Sequence, residues 1–164
     1  MRADPFPQRR CFRTDCPVVT RDSTDCRETC FQGHATYVAR CEVCAQARKE
    51  ARADVIGGDD IPPDYIYVGE TSRGLFVRHE KHVEKYGTVK SSGFMNKHAV
   101  ERHGGDLNLR FSMERTATDR DPMRRVIRES IQIVRARGER EKQLMNSKDE
   151  YFGVRVVRPN FTQE

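Results

Sequence analysis

Arg78 and His82 stand four residues apart in the stretch YIYVGETSRGLFVRHEKH (65–82), which opens like a buried strand, turns at Gly69 and Glu70 and continues as a helix. One helical turn puts both side chains on one face. There an arginine's planar fork can clamp a phosphate, and a histidine can orient water or move a proton. Tyr37 and Tyr67 fall in two apolar stretches that read as adjacent strands, so both hydroxyls can enter one cleft. A phenol with an ordinary pKa near 10 needs a cation to act as a base. A surface arginine, a solvated histidine and two half-buried strand tyrosines are the plainer reading of the same residues.

The cysteines offer a second chemistry. All six lie between Cys11 and Cys44. Cys41 and Cys44 form a Cys-x2-Cys turn, and His98 and His103 have familiar zinc spacing. Together they would make a closed tetrahedral zinc site, structural rather than catalytic, that staples a hairpin to a later helix. Free thiols with unrelated histidines are the alternative. Cys11, Cys16, Cys26 and Cys30 have looser spacing, and a second zinc site competes there with a partly disordered tail. Ten residues of strand-like chain separate Cys30 from Cys41, at about 3.3 Å per residue, so one metal does not join them.

These residues need a scaffold. Residues 34–44 contain a short strand through Tyr37 and Val38, and Ile66, Tyr67 and Val68 form the returning strand. Residues 45–64 read as an insertion at the hairpin tip, with a short helix at 45–54 and a Gly-Gly-Asp-Asp and Pro-Pro stretch. Helices follow at about 73–86 and 92–103, then a strand at 107–114. The clearest helix spans 119–138: Asp121 caps it, Pro122 suits its first position and Gly138 ends it. Met123, Val126, Ile127, Ile131 and Val134 are its expected buried stripe. An edge strand is expected at 154–157. The predicted fold is α+β, a small three-stranded antiparallel or mixed sheet flanked by helices. Residues 1–33 form a Cys-rich segment, 34–151 the main domain and 152–164 a tail.

The 164 residues carry a formal charge of +5 and a pI near 9.0. A mild basic excess is compatible with a polyanionic partner. No stretch approaches the ~20 apolar residues of a membrane span, and MRADPFPQRR lacks the apolar core of a signal peptide. The expected location is nuclear or cytoplasmic, with reduced thiols that favour metal binding over disulfides. Oligomeric state has no signature in the sequence.

Taken in order, ATY (35–37), YVG (67–69), Arg78, His82, Glu129 and Asn146 resemble the GIY-YIG nuclease pattern. YVGETSRGLFVRHEKH is most similar to the endonuclease domain of Penelope-like retroelements. The Cys-x2-Cys between the two tyrosine motifs, the histidine pair in HAVERH (98–103), the upstream Cys30 and LMN (144–146) extend the likeness over roughly residues 26–150. ATY lacks the usual first glycine and isoleucine, and the loop from Cys44 to Tyr67 is longer than in those domains.

The resemblance implies a GIY-YIG fold and a metal-dependent DNA endonuclease that nicks phosphodiester bonds. Glu129 would hold Mg²⁺ or Mn²⁺, a single carboxylate being enough for an ion that keeps most of its waters; a solvated helix glutamate is the alternative. Arg78 would clamp the scissile phosphate. One tyrosine would activate water and the other position it, with Tyr65 in reserve. Asn146 would tie a chain end beneath the site. In a retroelement the nick would expose a 3′ hydroxyl for primed reverse transcription. The expected partners are DNA and a reverse transcriptase domain or protein, the chain being a separated module, a fragment or a domesticated remnant. Two rivals remain: a non-catalytic zinc-dependent nucleic-acid-binding module, and a repair or junction-resolving nuclease on the same scaffold.

Overall fold

A computed structural model of the chain describes residues 11, 13–20, 26, 29–54, 61–85, 93–106, 108–139 and 142–146. Three long strands carry the sheet: β2 (Ala35–Cys41), β3 (Asp64–Thr71) and β4 (Phe111–Thr118). β2 lies in the centre, antiparallel to both neighbours, with Tyr37 opposite Gly69 on β3 and opposite Arg115 on β4. Two short strands extend the edges, each parallel to its neighbour. β1 (Val18–Val19) joins β4, and β5 (Lys142–Leu144) joins β3. The order is β1-β4-β2-β3-β5. The sheet is therefore mixed and five-stranded, not three-stranded. Strands of two and three residues are too short to leave an alternating pattern that a sequence reader can detect. The strand expected at 154–157 lies outside the described residues.

Among the described residues four α-helices accompany the sheet: α1 (Glu42–Asp54), α2 (Leu75–Lys85), α3 (Phe94–His103) and α4 (Pro122–Gly138). The helix expected at 45–54 inside the hairpin-tip insertion is present as α1, which begins three residues earlier at Glu42. Cys41 ends β2 and Cys44 sits in the first turn of α1, so the Cys-x2-Cys is a strand-to-helix junction rather than a hairpin turn. α3 ends in a left-handed Gly104, whose N–H reaches back to the Ala99 carbonyl, the expected stop for a helix.

Strand alternation divides the core into two faces. Ala35, Tyr37, Ala39 and Cys41 of β2 join Tyr67, Phe111 and Met113 beneath Leu75 of α2 and Phe94, Met95 and Ala99 of α3. Val38, Ile66 and Val68 turn the other way, onto Ile133 and Ala136 of α4. Val18, Cys26 and Cys30 belong to the first of these clusters. A boundary at residue 33 therefore cuts across shared core.

α4 starts as its sequence predicts: Asp121 accepts hydrogen bonds from the Met123 and Arg124 amides, with Pro122 at the first position. Its buried stripe is not the expected one. Met123, Ile127, Ile131 and Val134 are exposed, while Arg125, Ile133 and Ala136 are buried. The two stripes are offset by two residues, about 200° at 3.6 residues per turn, so the apolar stripe faces away from the sheet. Among the described residues no helix is long and apolar enough to cross a membrane.

Candidate active site and metal centres

Tyr37 points along the sheet surface onto its register partner, Gly69. A Cβ at Gly69 would stand 2.5 Å from both Cζ and Oη of Tyr37, and 2.9 Å from Cε1 of Tyr67. Only glycine leaves room for the phenol end. Arg78 and His82 reach that same oxygen from α2. Arg78 Nε donates to Tyr37 Oη at 3.1 Å, and His82 Nε2 lies 2.9 Å from it. Tyr37 is fully buried. Burial pushes its pKa up to about 12; Arg78 pulls it back, and the Glu129 and Glu70 carboxylates add to the rise.

Tyr67, two residues before Gly69, shares this face. Its ring stacks on Phe94, with centroids 3.9 Å apart and planes 8° apart, and His82 meets both rings edge-on at 5.8 and 4.9 Å. Tyr37, Tyr67, Arg78 and His82 therefore converge. Tyr65 does not: its ring lies 5.0 Å from that of His98, with Arg102 over it.

Glu129 is half-buried on the inward stripe of α4, between Arg125 and Ile133, and close enough to Tyr37 to disfavour the phenolate. Asn146 acts on the backbone beside the site. Its Oδ1 accepts from the Val68 amide at 2.9 Å, and its Nδ2 donates to the Val68 carbonyl at 2.8 Å. It thus continues the pairing of β3 after β5 ends.

Sequence reading missed Arg125. It is 4% exposed, pairs with Glu70 at 2.9 Å, and donates to His34 Nδ1 and to the carbonyls of Asp119 and Arg120. The only available signal was its i, i+4 phase with Glu129. Two grooves, of about 710 and 600 Å³, lie elsewhere, the first along α2 and the second between the sheet and α4. Arg13, Phe76 and His79 help line the first, and Arg40, Arg115 and Arg135 the second.

Among the described residues two clusters have the makings of metal centres. Cys41, Cys44, His98 and His103 place one ligand atom each within 4.8 Å of one another. Cys44 Sγ lies 3.4 and 3.2 Å from the Nε2 atoms of His98 and His103, Cys41 Sγ lies 3.6 Å from His103 Nε2, and the two Nε2 atoms are 3.2 Å apart. A tetrahedron with bonds of ~2.3 Å to sulfur and ~2.05 Å to nitrogen has edges of about 3.3–3.8 Å, which these separations approach. Burial, then the neighbouring His103 and Arg102, push His98 down to about 4, leaving it neutral as a ligand must be. Burial and the adjacent Cys41 push the Cys44 thiol up to about 12. Thiolates this close need a cation between them. Cys11, Cys16, Cys26 and Cys30 form the other cluster, again within 4.8 Å. All six cysteines are unpaired thiols.

No family model, no curated protein and no solved structure matches this chain.

Proposed function

We propose that the chain is a metal-dependent DNA endonuclease of the GIY-YIG type, related to the endonuclease domain of Penelope-like retroelements. The observation that carries this reading is the Tyr37 hydroxyl. It rests on Gly69 between Arg78 and His82, with Tyr67 next to it, so side chains from two strands and a helix meet at one oxygen, and the Glu129 charge reaches it from α4.

Phosphodiester hydrolysis requires a positioned water, stabilisation of the phosphate charge and help for the leaving 3′ oxygen. Arg78 serves the phosphate. Its Nε–H bond to Tyr37 fixes the plane of the guanidinium, so the terminal nitrogens meet a phosphate in a set orientation. Tyr37 is a positioning residue in this scheme. With a pKa near 12, roughly one molecule in ten thousand is ionised at about pH 8. Water then falls to Tyr67 and His82, which orient it and take its proton. Glu129 would hold Mg²⁺ or Mn²⁺, whose chemistry there is neutralisation of phosphate charge. Cys41, Cys44, His98 and His103 would hold structural zinc and fix α3, and with it Phe94, against Tyr67. Arginines on the surface of α4 would contact the DNA backbone with limited sequence reading.

The full burial of Tyr37 favours one rival, a zinc-dependent nucleic-acid-binding module that keeps the scaffold without cleaving. Incubation of supercoiled plasmid with the folded, zinc-loaded chain and Mg²⁺ or Mn²⁺ separates the two. Nicking supports the nuclease, and binding without nicking supports the module. A preference for branched over linear DNA would move the nuclease toward repair or junction resolution, since the scaffold does not fix the substrate.

A further inference from the structure

Cys11, Cys16, Cys26 and Cys30 have no part in the chemistry above, yet their sulfurs converge within 4.8 Å, with Cys26 Sγ and Cys30 Sγ 3.5 Å apart. Four thiolates on one zinc at ~2.3 Å stand about 3.8 Å apart. The local backbone is built for the approach. The Thr29 amide and hydroxyl both donate to the Cys26 carbonyl, at 2.8 and 2.6 Å, and this turn brings Cys30 back over Cys26. Cys26 and Cys30 are buried.

This cluster sits directly against the start of α2. A Cβ at Gly74 would lie 3.1 and 3.2 Å from the carbonyl oxygens of Phe31 and Cys30, and one at Gly33 would lie 2.5 Å from the Ser72 carbonyl. The two chain segments are therefore packed backbone on backbone. Leu75, the first residue of α2, is fully buried in the same cluster as Cys26 and Cys30. Arg13, between Cys11 and Cys16, lays its guanidinium 3.7 Å over the Phe76 ring. The Arg78 amide closes the helix onto the Gly74 carbonyl at 3.0 Å.

We propose that Cys11, Cys16, Cys26 and Cys30 bind a second zinc ion that seats the N-terminus of α2 and so sets Arg78 and His82 against Tyr37. The helical layer over the Tyr37 face is then clamped at both ends, by this ion at the start of α2 and by the Cys41, Cys44, His98 and His103 site at the end of α3. The proposal concerns metal and helix only, and stands whether or not the chain cleaves DNA.

Zinc content and zinc-edge X-ray absorption of the intact, zinc-loaded chain test it first. Two zinc ions per chain are expected, with an average shell of three sulfurs and one nitrogen, since the two clusters supply six cysteines and two histidines. One ion with two sulfurs and two nitrogens overturns it. Hydrogen exchange then tests the coupling. In Cys11→Ser, the first-turn amides of α2 should exchange about 10-fold faster or more while α3 keeps its protection. In Cys44→Ser, α3 should loosen and the first turn of α2 should hold. Unchanged exchange at the start of α2 in Cys11→Ser, with one zinc lost, refutes the seating role. The absorption measurement needs no variant, so a substitution that fails to fold does not rescue or sink the metal assignment.

Discussion

Gly69→Ala should be among the most damaging single-methyl additions in the described sheet. The new Cβ would stand 2.5 Å from the Tyr37 Cζ and Oη atoms. Tyr37 cannot swing aside cheaply, because it is fully buried and its oxygen is held by Arg78 and His82. Overpacking of this kind costs about 1–3 kcal/mol. Displacing the oxygen weakens a bond to a charged donor, about 1.5–3 kcal/mol when lost outright. The lower backbone entropy of alanine offsets about 0.5 kcal/mol. The net expectation is a loss of about 2–5 kcal/mol, or roughly 4–20 °C in Tm for a chain of this size. Gly138→Ala is the matched control. The same methyl at the end of α4 meets nothing within 4 Å and should stabilise by up to about 1 kcal/mol. Thermal unfolding of both variants beside the wild type reads the comparison. The reasoning is refuted if Gly69→Ala melts with the wild type, or if the two substitutions shift Tm in the same direction by similar amounts.

Other substitutions probe the surroundings of the site. Asn146→Ala removes two hydrogen bonds to Val68; it should cost about 1–2 kcal/mol and speed amide exchange at Val68. Arg125→Met keeps the volume but leaves Glu70 without its partner; a loss of about 2–4 kcal/mol in urea unfolding is expected. His79 donates to the Phe111 carbonyl, and burial holds its pKa below the ordinary value despite that bond. The folded chain thus keeps His79 neutral where the unfolded chain protonates it. Its contribution to stability is complete above about pH 6.5 and is lost as pH falls towards the depressed folded pKa. His79→Gln should therefore flatten the loss of Tm between about pH 7.5 and 5 relative to wild type.

The sequence made the chemistry-bearing positions legible and some of the scaffold illegible, for identifiable reasons. Arg78 and His82 were visible because helical spacing alone puts them on one face, and Tyr37 and Tyr67 because their strands are long enough to alternate. The Cys-x2-Cys and His-x4-His spacings found a cluster whose atoms do meet. On α4, apolar periodicity pointed to Met123, Ile127, Ile131 and Val134, yet the opposite face is buried. That face is stabilised by an ion pair to Glu70 and by carbonyl contacts from Arg125. A partner as distant in sequence as Glu70 leaves no local pattern. The role of Gly69 was legible only as a turn; its real constraint, the phenol end lying on it, comes from cross-strand register. β1 and β5 owe their existence to neighbouring strands rather than to their own sequence.

The most direct test of the nuclease reading is single-turnover cleavage of a DNA duplex by wild type and Glu129→Gln, with Mg²⁺ or Mn²⁺, and with affinity measured on the same duplex. Both proteins must be folded and carry equal zinc. The account predicts that cleavage falls by about 100-fold or more in the variant while affinity is kept, as befits a group that serves charge neutralisation rather than binding. Equal cleavage by the two proteins would contradict the role of Glu129, and no cleavage by wild type on a duplex it binds would contradict the nuclease reading itself.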